Sequence, residues 1–81
     1  MPVKLTYFVD IAPMLRAERL RCHVKLKDLA ASLGISDSDI SGFELRNINW
    51  SLDKVMDYAR YLGIERQVQA EIAFQLRRMI Q

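Results

Sequence analysis

The chain has 81 residues, 51% of them hydrophobic and 27% charged, a length and balance that predict one small globular domain and exclude a disordered chain. Its net charge of +2 permits an anionic partner such as nucleic acid but does not demand one. One cysteine excludes an internal disulfide and favours the reducing cytoplasm, and since no apolar run approaches the roughly 18 residues of a membrane span, we expect no membrane partner.

Residues 3 to 9 read VKLTYFV, a run of β-branched and aromatic side chains that is typical of an extended segment. One short strand is not stable alone, so this arm needs a surface to pack against. Two interpretations follow from this. The arm pairs with a second chain, or it packs across the helices of its own chain.

The rest of the chain predicts helices, because it contains few glycines and prolines and repeats its apolar residues at helical spacing. Five helices are expected, over about residues 10–23, 25–33, 37–45, 51–63 and 65–80. Asp10, Ser36 and Ser51 are suited to cap the first, third and fourth helices. Gly34 and Gly63 are suited to the left-handed residue that ends the second and the fourth. The predicted fold class is all-α, a single domain over residues 1–81 with a short N-terminal extended arm.

The most informative stretch is residues 25 to 45, which has the pattern of a helix-turn-helix. Its two helices are joined by about four residues around Gly34, and each carries its own apolar stripe. The apolar positions are Leu29, Ala30, Leu33, Ile40 and Phe43. In a DNA-reading helix-turn-helix the second helix of the pair enters the major groove, so this stretch favours a nucleic-acid partner.

Four short motifs occur in order in and around this stretch. They are Leu15, Arg16 and Arg19 in the first helix, Leu29, Ala30, Leu33 and Gly34 in the second, Ile40, Ser41 and Glu44 in the third, and Asn49, Ser51 and Leu52 at the start of the fourth. Together they resemble the lambda-repressor/Cro-like (XRE) helix-turn-helix family over roughly residues 14 to 64, including controller proteins of restriction–modification systems and antitoxins. The resemblance implies a five-helix, lambda-repressor-like DNA-binding domain that acts as a homodimer on double-stranded DNA, as a repressor or autoregulator of transcription.

The resemblance also implies which residues meet the bases. The groove-facing positions of the family correspond here to Ser36, Asp37, Ser38 and Ser41. A serine hydroxyl can bond either kind of base, and an aspartate can accept a hydrogen bond from the amino group of cytosine. Helix capping is the alternative role for Ser36 and Asp37, because both residue types favour the positive end of a helix.

Phosphate contacts are expected from two places. Lys25 and Lys27 lie at the start of the second helix, which crosses the DNA backbone in this motif, and a merely solvated surface is the alternative for both. Arg46, Asn47 and Asn49 follow the third helix, in a loop from which members of the family often touch the backbone. Asn47 is equally suited to forming a turn.

The third helix differs from a typical DNA-reading helix in its charge. Residues 36 to 45 contain Asp37, Asp39 and Glu44 and no Lys or Arg, so that the segment carries three negative charges. A helix of this charge suits a basic protein better than a phosphate backbone. The alternative function is therefore a protein-interaction module on the same fold, such as an antitoxin that binds a toxin, or a phage-encoded inhibitor of another protein.

Arg19 and Glu44 are interpreted as structural residues. The resemblance implies that they form a buried salt bridge that joins the first helix to the third. A binding role for either residue would leave the other charge buried and unpaired, which is unfavourable.

The fifth helix carries an apolar stripe that predicts a dimer interface. Its residues are Val68, Ile72, Leu76, Met79 and Ile80, spaced by four, four, three and one. A core of four short helices can cover only one side of such a helix, so the remaining side is expected to meet a second copy. The alternative is a helix that packs entirely within its own chain.

No arrangement of residues predicts an enzyme or a metal site. Cys22 and His23 are adjacent, and on a helix their side chains point about 100° apart. The sequence has one Cys and one His, so it lacks both a set of metal ligands and a nucleophile with its base. We expect no catalytic activity, no metal and no cofactor.

Overall fold

A computed structural model describes residues 9–79 of the protein, which form five α-helices joined by short turns. The helices are α1 (Ala12–Arg21), α2 (Leu26–Leu33), α3 (Asp37–Glu44), α4 (Leu52–Leu62) and α5 (Glu65–Met79). Because residues 9–79 contain no strand, the all-α prediction with five helices is confirmed. The arm expected over residues 3 to 9 lies outside the described residues except for Val9, which is buried. None of these five helices is both long and apolar enough to cross a membrane.

Local signals set four of the helix ends. Gly34 and Gly63 follow α2 and α4 with φ angles of 68° and 72°, the left-handed conformation that glycine adopts without strain. The side chain of Ser36 accepts a hydrogen bond from the backbone N–H of Asp39 at 3.1 Å. Ser51 accepts one from the N–H of Lys54 at 3.4 Å. Both serines therefore cap their helices as predicted.

The start of α1 differs from the prediction, because Ile11 and not Asp10 occupies the capping position, and no side chain caps this helix. The Asp10 carboxylate instead pairs with Arg46, and the Asp10 backbone bonds to Gln75 of α5. The neighbours of Asp10 in the chain, Val9 and Ile11, are both buried. Burial on both sides fixes the path of the chain here, so that Asp10 faces α5 and the α3–α4 turn and does not bond the first N–H groups of α1.

The core forms around α4, which packs against α1, α2 and α5, while α3 packs against α1 and α2. Three aromatic rings occupy its centre. Phe43 and Trp50 stack with their ring centroids 4.2 Å apart and their planes within 6° of parallel. Tyr58 lies at a tilt beside both, with centroids 6.3 Å and 6.1 Å away. Trp50, which is 1% exposed, is therefore a core residue.

The helix α5 completes this core and does not stand apart from it. Val68 and Ile72 are buried within the domain, because their side of α5 packs on α4. They belong to the core of their own chain and not to a surface that a second copy could reach, which corrects the interface expected from the apolar stripe. The later residues of the stripe remain at the surface, since Leu76 is 40% exposed and Met79 is 53% exposed. Ile80 lies outside the described residues.

Candidate functional site

The turn between α2 and α3 reverses the chain within three residues. Gly34 is left-handed, the N–H of Ile35 donates to the carbonyl of Ala30 at 3.1 Å, and Ser36 is extended. The side chain of Ile35 packs against the core and so anchors the turn to the rest of the domain. The helix α3 therefore begins directly at the surface, with its first turn facing solvent.

The residues expected to meet DNA bases lie on this first turn of α3. Ser36, Asp37 and Ser38 are exposed, and Ser41, one helical turn later, is partly exposed. The Ser36 and Ser38 hydroxyl oxygens are 3.2 Å apart. Because Ser41 follows Asp37 by four residues and Ser38 by three, the three side chains share one face of the helix. The site thus presents hydroxyls and one carboxylate together.

The expected phosphate-contacting residues lie before and after α3 in the chain, and most of them are exposed. Lys25 occupies the capping position of α2 and Lys27 its first turn, and both are exposed. Arg46 and Asn47 are exposed in the α3–α4 turn, while Asn49 is partly buried. Arg46 has a φ angle of 65°, in the left-handed region, and its guanidinium pairs with Asp10.

The Asp39 side chain joins the start of α3 to the start of α4. Its carboxylate accepts hydrogen bonds from the indole Nε1 of Trp50 at 3.1 Å and from the Nζ of Lys54 at 2.9 Å. The Lys54 ammonium also lies 5.5 Å from the centre of the Trp50 ring, within the range of a cation–π contact. The negative charge of Asp39 is therefore offset inside the protein.

Glu44, at the last position of α3, is buried and bonded from two other helices. Arg19 of α1 donates from Nε and Nη2 to the two carboxylate oxygens, at 2.8 Å and 2.9 Å. Tyr58 of α4 donates its hydroxyl hydrogen to Oε2 at 2.5 Å. The salt bridge expected between Arg19 and Glu44 is thus present, and the tyrosine completes it. A second cation, the half-exposed Arg16, lies 3.7 Å from Oε1.

The remaining donors of this cluster are also used. Arg19 Nη1 donates to the carbonyl of Val24 at 2.9 Å, which ties the α1–α2 connection to the same group. The hydrogen bond to Glu44 raises the pKa of Arg19, so that its charge is permanent. Burial raises the pKa of Tyr58, and the negative charge of Glu44 raises it further. The phenol therefore remains a neutral hydrogen-bond donor throughout the physiological range.

These contacts reduce the negative charge that α3 presents to a partner. Of its three carboxylates, Glu44 is neutralised by Arg19 and Asp39 by Lys54. Asp37 is exposed, and no ion pair within residues 9–79 involves it. The outward face of α3 therefore shows one negative charge to a partner, where the sequence predicted three.

Sequence reasoning missed two parts of this site, the hydroxyl of Tyr58 and the bond from Trp50 to Asp39. Tyr58 sits on the apolar side of α4, where its position predicts only a packed ring. A buried tyrosine or tryptophan normally needs a hydrogen-bond partner. The available signal was therefore the presence of acidic residues whose carboxylates could accept a bond from these two rings.

Comparisons with protein-family models, with curated proteins and with solved structures found no match. Among residues 9–79, no group of three or more His, Cys, Asp or Glu side chains could hold a metal ion. The case for a function therefore rests on the residues and geometry described above.

Replacing Glu44 by alanine should lower the free energy of unfolding by about 3–5 kcal/mol, because the buried Arg19 charge loses its partner. Urea or thermal unfolding followed by circular dichroism measures this. Glu18→Ala is the matched control, since Glu18 pairs with Arg21 at the surface of α1 and its loss should change little. A Glu44→Ala protein that melts within about two degrees of the parent would exclude a structural role for the pair.

The raised pKa of Tyr58 makes stability depend on alkaline pH. The unfolded chain releases this proton near pH 10.0, whereas the folded protein keeps it. The contribution of Tyr58 is therefore complete below pH 10.0 and is lost progressively above it, by up to about 1.4 kcal/mol per pH unit. In Tyr58→Phe this part of the alkaline slope should disappear, as measured by urea unfolding from about pH 8 to pH 11. Equal slopes in the two proteins would contradict the assignment.

Proposed function

We propose that the protein is a sequence-specific DNA-binding regulator of transcription, a repressor or autoregulator, which acts as a homodimer in the cytoplasm. The observation that carries this proposal is that α3 is fastened at both ends while its first turn remains exposed. Asp39 bonds to α4 near one end, and Glu44 bonds to α1 and α4 at the other. A recognition helix must be held rigidly to read base edges, because small displacements break hydrogen bonds.

The charge of the exposed face supports the same proposal. The outward charge of α3 is reduced to Asp37, which lies at a position suited to accept a hydrogen bond from a cytosine amino group. Lys25 and Lys27 are exposed at the beginning of α2 and can bind phosphates of the backbone that this helix crosses in the motif. Asn47 and Asn49 in the α3–α4 turn can add neutral donors to the same backbone.

A homodimer is part of the proposal, because one helix of eight residues reads too few base pairs for specificity. Two copies with recognition helices one turn of DNA apart would read two half-sites. The surface proposed for self-association is the end of α5, where Leu76 and Met79 are exposed three residues apart. Ile80, the next residue in the sequence, is also apolar.

A second candidate function is supported by a different surface. Leu20 of α1 and Leu45 at the end of α3 are 48% and 60% exposed and line one shallow groove. Exposed leucines of this kind fit a protein better than a nucleic acid. An antitoxin that holds a toxin, or an inhibitor of another protein, would use this groove, and Asp37 would add one negative charge for a basic partner.

Binding to random and then to selected duplexes, measured by fluorescence anisotropy at several salt concentrations, tests the proposed function. Lys27→Gln should weaken binding to every sequence alike and lower the salt slope by about one, because a phosphate contact is lost. Asp37→Ala should relax selectivity at one base pair, with a change there of about 1–3 kcal/mol. Asp53→Ala, an exposed acid on α4, is the matched control.

The outcomes for Asp37 separate its two roles. If Asp37 only favours the helix end, Asp37→Ala should bind all duplexes at least as tightly as the parent, because a negative charge near phosphate has gone. If substitutions at Asp37, Ser38, Ser41 and Lys27 change neither affinity nor selectivity, α3 does not read DNA. The protein-interaction function would then replace the proposed one.

Sedimentation equilibrium tests the dimer. Met79→Asp should shift the protein to the monomer, because it places a charge in the proposed contact without touching the buried core. Gln67→Asp, an exposed position near the start of α5, should leave association unchanged. A parent protein that is monomeric at every concentration examined would refute the dimer.

A further inference from the structure

Arg46 is expected to contact a DNA phosphate, yet its guanidinium already binds an anion of the same chain. Its Nη2 lies 2.9 Å from Oδ2 of Asp10, and its Nε donates to Oδ1 at 3.2 Å. The carboxylate thus bonds the guanidinium edge through both of its oxygens, as a phosphate does. Both side chains are more than half exposed, so a ligand in solution can reach the pair.

The backbone on both sides of this pair is held in place. The N–H of Asp10 donates to Oε1 of Gln75 at 2.6 Å, and Nε2 of Gln75 donates to the Asp10 carbonyl at 3.0 Å. The N–H of Arg46 donates to the carbonyl of Phe43 at 3.0 Å, at the end of α3. The pair therefore joins two separately fixed segments that lie 36 residues apart in sequence.

Among residues 9–79, the other exposed arginine pairs at hydrogen-bonding distance lie within single helices. Arg60 pairs with Asp57 at 2.8 Å in α4, and Arg21 pairs with Glu18 at 2.5 Å in α1, each three residues apart. Pairs at this spacing form on any helix that contains the two residues. The Asp10–Arg46 pair instead joins segments that are distant in sequence, and it engages a cation in the turn that follows α3.

We propose that in the free protein the Asp10 carboxylate binds the Arg46 guanidinium at the place where a nucleic-acid phosphate would bind. Binding of DNA then exchanges the carboxylate for the phosphate. The proposal rests on the proposed function, because it names the regulation of the same DNA-binding surface. An exposed ion pair is weak, so it can be broken in this exchange. Breaking it nevertheless reduces the gain in binding free energy from the new phosphate contact. Since a phosphate contact carries no sequence information, the exchange lowers affinity for all DNA alike and so limits binding to non-specific sites.

The test compares the full-length parent with Asp10→Asn, Arg46→Gln and the double variant. Asp57→Asn is the matched control, because it removes one carboxylate from an exposed arginine pair that lies within a single helix. The probes are random-sequence duplex DNA, between about 50 and 200 mM salt, and immobilised heparin. Asparagine retains the shape of Asp10 and its two backbone bonds to Gln75, and unfolding curves verify that each variant is folded.

Asp10→Asn should bind duplex about two- to fivefold more tightly at the lowest salt, and this gain should shrink as the salt concentration rises, because salt screens the exposed ion pair that the substitution removes. Asp57→Asn should show neither change. In the Arg46→Gln background the gain in affinity should be largely lost, because no guanidinium remains to be released. An equal gain in both backgrounds, or no gain in Asp10→Asn, would overturn the proposal.

Failure of the proposed function gives a different result from failure of this inference. If neither the parent nor Asp10→Asn binds any duplex at the lowest salt, the protein does not bind DNA. Heparin still tests the masking of Arg46 in that event. Asp10→Asn should elute at higher salt than Asp57→Asn, and the difference should disappear with Arg46→Gln. Elution of Asp10→Asn together with Asp57→Asn would show that Asp10 does not mask Arg46.

Discussion

The buried carboxylate of Glu44 is the constraint on which the arrangement of the helices depends. A charge taken out of water is unfavourable unless it is paired and hydrogen-bonded, so α3 can pack only where partners reach its last residue. Arg19 supplies two bonds from α1 and Tyr58 one from α4. The same arginine bonds the α1–α2 connection. One carboxylate therefore holds three helices and one connection together.

A helix of eight residues is too short to be stable on its own, so contacts with the rest of the fold decide where α3 points. Glu44 fastens one end and Asp39 the other, through Trp50 and Lys54. These bonds also use up two of the three negative charges of the segment. The contacts that position α3 thus reduce the electrostatic obstacle to its approaching DNA, which favours the regulator over a module that binds basic proteins.

The helix α5 is joined to the turn after α3 through the segment before α1. Gln75 of α5 holds the backbone of Asp10, and the side chain of Asp10 holds Arg46 beside α3. The helix α5 therefore has two roles in the fold: its buried face closes the core, and Gln75 supports a contact at the edge of the candidate site. A second copy bound at the end of α5 would lie on the same helix as this support.

The sequence by itself determined the five helices and four of their ends, because Gly34, Gly63, Ser36 and Ser51 act on backbone only a few residues away. Only the tertiary structure decided the partners of Tyr58 and Asp39, and the burial of Val68 and Ile72. Those outcomes depend on which surfaces meet, and the bonds that join Tyr58 to Glu44 and Asp39 to Trp50 and Lys54 span 11 to 15 positions of the chain. Hydrophobic spacing shows that one face of α5 is apolar, but it does not show what covers that face. The charge of α3 was countable in the sequence, whereas its neutralisation required Arg19 and Lys54, which lie on other helices.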